Sequence, residues 1–352
     1  GRCIGYLITR RGGGRGDGGS GKKRRMRCFV VEEKLALEEQ HVNALSPRPL
    51  SSTRDDALRL GNGRAPTSPS GDVWDSANAA TRDRLSSAAS GQLSSLELVR
   101  SRELPDALAL HAAHSPAAIA AFFSSPRGDE REASSRRRAL ASAGAAMAAV
   151  EAALILDGSA ASPKVAASLL CDPPGPSSGA RPLLCDALLA AAHASALTGG
   201  GDVLVLDFEL FPAGLPTFAL APALPPRVRV LRCPHELSAN RALGDAAVPV
   251  AARDAEYAEL ATAQLRALWD ARPPAAVVAK LGVETSVHSA VTRHGLLLRT
   301  HAVLSKALQT GTPLVLLGSG AGHSAEAVAA RADALCAAAL RVAARRGRGR
   351  NT

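Results

Sequence analysis

The fold is decided by Gly201-Asp202-Val203-Leu204-Val205-Leu206-Asp207-Phe208-Glu209-Leu210-Phe211. Val203, Leu204, Val205 and Leu206 are four apolar residues in a row, two of them β-branched, between a glycine run at 199–201 and Pro212. A short strand that is apolar on both faces is a central strand of a parallel sheet. Side chains alternate along a strand, so Asp207, Glu209 and Phe211 share one face at its carboxyl end. Open α/β sheets bind their ligands at that end. A carboxylate pair there points to a metal or acid/base site. Phe211 stands where a third polar group would complete it.

Outward from this strand, apolar runs and amphipathic stretches alternate. Residues 165–170, 227–232, 275–279 and 313–317 are predicted strands, the second nearer an edge because Val228 and Val230 alternate with arginine. Residues 183–197, 254–271, 295–309 and 325–344 are predicted helices, the third stopped by Gly311. Before them, an Ala-rich helix near 117–123, a charged loop at 126–138 and a long buried helix at 139–157 are expected. Repeated βα units predict a three-layer α/β domain, a parallel sheet flanked by helices on both faces. That domain spans residues 104–341. Residues 1–100 are a low-complexity, basic region expected to be disordered apart from a short helix at 29–40, and residues 342–352 form a basic tail.

The formal net charge of +10 resides in the ends. Residues 1–30 hold nine Lys or Arg against Asp17, and residues 341–352 hold five Arg and no acid, so the rest is slightly acidic. Such tails bind nucleic acid or direct nuclear import. Aromatic residues make up only 3% of the chain, which argues against a base-stacking module for single strands. The six cysteines form no CxxC pair, so no structural zinc site is signalled. No apolar run approaches the ~20 residues of a membrane helix, and the first eight residues are too short and polar for a secretory signal. The expected compartment is reducing, nucleus or cytoplasm. Two glycine-rich stretches miss their nucleotide-binding patterns. Gly16 to Lys23 lacks the Ser or Thr that would hold magnesium, and Gly318-Ser319-Gly320-Ala321-Gly322 has its third glycine one position early.

Four segments follow predicted strands. They are Cys171-Asp172-Pro173-Pro174-Gly175-Pro176-Ser177 with Cys185-Asp186 beyond it; Asp207 to Phe211 with Gly214; Leu281-Gly282-Val283-Glu284; and Leu317-Gly318-Ser319-Gly320-Ala321-Gly322-His323. Their order and spacing, over roughly residues 105–340, resemble the histone deacetylase family of the arginase/deacetylase superfamily. The run Arg227 to His235 resembles the strand and histidine that follow the family's metal loop. The resemblance implies an arginase/deacetylase-like fold, a bound zinc that polarises an acetyl-lysine amide and activates water, and acetylated proteins such as histones as partners. Carried over residue by residue, the metal carboxylates fall on Glu209 and Glu284 and the metal histidine on Phe211. The family's His pair falls on Pro176 and Ser177, and its tyrosine near Ala321. His235 and His323 are the nearby histidines able to stand in as catalytic groups. Pro174, Gly175, Asp207, Gly282 and Gly318 keep the family's turn and strand-end residues. The resulting expectation is a deacetylase-like protein that has lost its catalytic groups and has no cofactor. The alternatives are an active zinc amidohydrolase with substituted ligands, or an unrelated α/β protein whose basic tails bind nucleic acid.

Overall fold

The computed structural model describes residues 3–8, 26–33, 98–99, 105, 107–123, 130–154, 165–168, 184–208, 227–233, 248–249, 252–282, 291–318 and 331–339, with single positions at 79, 81, 83 and 85. Its body is a sheet of five parallel strands: β4 (Val165–Ser168), β5 (Val203–Asp207), β6 (Val228–Arg232), β7 (Ala276–Leu281) and β8 (Leu314–Gly318). Three further strands, β1 (Cys3–Ile8), β2 (Met26–Glu33) and β3 (Leu98–Val99), extend it beyond β4. The full order is β1-β3-β2-β4-β8-β7-β5-β6, with β1 antiparallel to both β2 and β3. Every residue of β4, β5, β7 and β8 is buried, as expected of strands covered on both faces. β6 is the edge strand that its alternating arginines predict, with Arg229 and Val230 half-buried.

Residue parity divides the core. Leu204, Leu206, Phe208, Val277, Ala279, Leu281, Leu314 and Leu316 face one layer, built from α5 (Asp254–Ala271), α6 (Arg293–Thr310) and the helical residues 331–339. Val203, Val205, Val228, Ala276, Val278, Val315 and Leu317 face the other. That second layer contains α1 (Ala107–Ala113), α2 (Pro116–Phe123), α3 (Glu130–Leu154) and α4 (Asp186–Leu197). At roughly 2 kcal/mol for each fully buried Leu or Val, these two faces supply most of the drive to fold. Helix ends carry the expected signals. Thr292 caps α6, its hydroxyl accepting from the His294 amide at 3.1 Å. Gly311 ends the same helix in the left-handed region at φ 78°, where a Cβ is unfavourable. Gly201 is required for space, since a Cβ there would lie 2.8 Å from that of Ala275.

Two segments differ from their sequence-based expectation. The predicted charged loop at 126–138 is helical from Glu130 onward, because Glu, Arg and Ala are strong helix formers. Phe29, the start of a predicted short helix, lies instead in strand β2, whose Cys28-Phe29-Val30-Val31 core is aromatic and β-branched. Among the described residues, no helix is long and apolar enough to cross a membrane.

Candidate functional site at the carboxyl edge

The strand order places a topological switch point at the carboxyl edge. From β5 the chain proceeds to β6 on one side, and from β7 to β8 on the other, while β5 and β7 are themselves neighbours. Connections that leave adjacent strands in opposite directions open a gap between their carboxyl ends, where α/β proteins bind ligands. Of the four segments singled out in the sequence, those that start at Asp207, Leu281 and Leu317 begin at this edge, at the ends of β5, β7 and β8. Their strand ends are aligned. Asp207 is in register with Lys280, Lys280 with Leu317, and Leu317 with Ser168.

Of the residues assigned by the resemblance, Asp207, Gly282 and Gly318 fall within the described structure, and it brings them to this edge. Gly282 directly follows β7, Gly318 pairs with Leu281 one row above Asp207, and all three are buried. Pro174, Gly175, Pro176, Ser177, Glu209, Phe211, His235, Glu284, Ala321 and His323 lie outside the described residues.

The row through Asp207 is charged. In register on its two sides stand Arg232 of β6 and Lys280 of β7. Asp207 is 4% exposed, Arg232 7% and Lys280 1%. Residues in register on neighbouring parallel strands point to the same face, about 4.8 Å apart. Asp207 therefore lies between two cations, on the face covered by α3 and α4. The amino end of α4 adds Asp186, also buried, which accepts from the Ser142 hydroxyl at 3.3 Å. Cys185 caps α4, its sulfur accepting from the Leu188 amide at 3.4 Å. The Cys185 amide in turn donates to Nε2 of His114 at 2.8 Å. Nε2 is thus the acceptor, so Nδ1 carries the proton and faces the Leu110 carbonyl at 3.3 Å. Burial holds the His114 pKa below 6.5, which keeps this tautomer neutral.

The opposite face of the sheet holds Arg299, from α6. Its side chain is 1% exposed. Nη1 donates to the Tyr257 hydroxyl at 3.1 Å and to the Gly282 carbonyl at 3.2 Å. The guanidinium carbon stands 5.1 Å from the centre of the Phe208 ring. Nε and Nη2 have no hydrogen-bond partner among the described residues.

The described groups on the Asp207 face do not by themselves make a divalent-metal site. A catalytic zinc takes three protein N, O or S donors and an open position. On the Asp207 face the described carboxylates are Asp207 and Asp186, and Arg232 and Lys280 stand in register with Asp207. A dication about 5 Å from one ammonium meets a repulsion of roughly 7 kcal/mol at an effective dielectric near 20. No group of three candidate metal ligands occurs among the described residues.

Lys280, Arg232 and Arg299 escape a motif search because no motif contains them. Two signals were nonetheless present. Lys280 interrupts an otherwise apolar strand, Ala276-Val277-Val278-Ala279-Lys280-Leu281, where lysine is rarely buried without a partner. Arg299 falls three residues after Leu296 and four before Val303, on the apolar stripe of α6. A scan against protein-family models finds no match, and neither does a search of curated proteins.

Proposed function

We propose that this chain is a deacetylase-like α/β domain that has given up metal hydrolysis and acts as a binding module through the carboxyl edge of its sheet. The parallel sheet with helices on both faces supports the fold half of this reading. So does the origin of three of the four resembling segments at the neighbouring ends of β5, β7 and β8. The non-catalytic half is carried by one observation: Asp207, at the start of the D-x-E segment, lies in register between buried Arg232 and Lys280. A cation built into the chain on each side compensates this carboxylate from within the fold. Pro176 and Ser177, at the positions of the family's His pair, have no group that exchanges a proton near neutral pH.

The reading is tested by incubating the purified chain with an acetyl-lysine peptide and added zinc. No turnover above the peptide blank is expected. Zinc-dependent turnover that disappears in Glu209→Ala would overturn the proposal and establish an active amidohydrolase with substituted ligands.

A further inference from the structure

We infer that the carboxyl edge between β5 and β7 binds an oxyanion, a carboxylate or phosphate group, on the unpaired, buried edge of the Arg299 guanidinium. The inference rests on this guanidinium and not on the deacetylase-like reading, since an enzyme with a working zinc would present the same edge.

Arginine keeps its charge at any pH a folded protein tolerates, and it has five N–H donors in a fixed plane. Arg299 is 1% exposed, so water does not solvate it. Both hydrogens of Nη1 are used, by the Tyr257 hydroxyl and the Gly282 carbonyl. These two bonds fix the plane and the rotation of the group. The Phe208 ring covers it at 5.1 Å. What remains is the edge formed by Nε and Nη2, and neither atom has a hydrogen-bond partner among the described residues. This is the edge whose two parallel N–H groups match the two oxygens of a carboxylate or phosphate. A buried charge is retained only where something compensates it. Neither the tyrosine hydroxyl nor the carbonyl carries a charge.

The surroundings point the same way. On the layer of α5 and α6, the described buried charges at this edge do not include a carboxylate. Asp207 and Asp186 belong to the layer of α3 and α4, and Asp202 lies before β5 at the opposite edge, held by Arg229 at 2.7 Å. The carboxyl edge is also where the winding of the sheet places ligands. Anchored on one side, stacked on a ring and unpaired along its buried bidentate edge, the guanidinium is organised before the ligand arrives, which lowers the entropy lost on binding.

The purified chain is titrated with sodium phosphate and, separately, with sodium acetate, against sodium chloride at matched ionic strength. The readouts are the thermal midpoint and the Nε–H resonance of Arg299. A saturable rise in midpoint with a shift of that resonance is expected for at least one probe. A stronger response to phosphate identifies a phosphate-bearing ligand, and a stronger response to acetate a carboxylate. Arg299→Lys keeps the charge but removes the two-pronged edge, and it should weaken the response about tenfold or more. Arg299→Met, close in volume, should abolish it. Should neither variant fold, the wild-type Nε–H shift decides. The proposal is overturned if neither anion gives saturation, or if the response persists in the variants. It is also overturned if a response emerges only in Glu209→Gln or Glu284→Gln, because the edge would then be filled from within the chain.

Discussion

Lys280 is the residue at which stability and function meet. Its ammonium and the Asp207 carboxylate occupy neighbouring in-register positions and are almost fully buried. Removing one partner of such a pair leaves an uncompensated charge. Lys280→Met should therefore cost about 3–5 kcal/mol in urea unfolding. Asp207→Asn combined with Lys280→Met should cost less than the sum of the single changes, with a coupling of about 0.5–3 kcal/mol. Strict additivity would show that the two charges do not interact. His114 gives a second expectation at this scale. Its pKa is lowered by burial from 6.5, so the folded chain favours the neutral ring. Stability from this group is complete above the unfolded value and is lost as pH falls from there toward the folded one. Unfolding midpoints at pH 7 and pH 5 should differ more in wild type than in His114→Gln, which does not titrate. The sequence shows such residues unevenly. Asp207 was legible because a strand ending in carboxylates is a recognised pattern. Arg299 and Lys280 were not, because a single charge in an apolar run acquires meaning only once its neighbours in space are known.

At the scale of elements, periodicity carried most of the reading. The strand at β5 and the helix at α5 lie where apolar runs and 3.6-residue spacing place them. Glu130 to Arg138 was misread because a surface turn of helix and a charged loop have the same composition. The pairing of α3 with α4 shows how a chain poor in aromatic residues builds a core. Ala143, Ala146, Ala149 and Ala153 of α3, and Ala187, Ala190, Ala191 and Ala194 of α4, are all buried in one cluster. Small side chains let helix backbones approach closely, and dense packing compensates for the little surface that each residue buries. Such an interface has no room for a larger group. Ala146→Leu should destabilise the domain by about 1–3 kcal/mol, read as a lower urea midpoint. An unchanged midpoint would mean that the two helices are loosely packed.

For the whole molecule, alternating βα units announce a parallel sheet, yet the order β4-β8-β7-β5-β6 is not written in any one segment. It follows from which strands become neighbours after the chain has crossed the sheet, and that order sets where the switch point lies. The family resemblance pointed to the same edge but to different chemistry. It put a zinc ion beside the strand that ends in Asp207. In the folded chain Arg232 and Lys280 stand in register with Asp207, and Arg299 lies on the other face. These cations compensate the carboxylate and disfavour a dication, so metal content is the direct test of the proposed loss of catalysis. The chain is equilibrated with excess zinc, freed of unbound metal by gel filtration and assayed by elemental analysis. Zinc no higher than in the column blank is the expected result. One zinc retained per chain, and lost on Glu209→Ala, would contradict it.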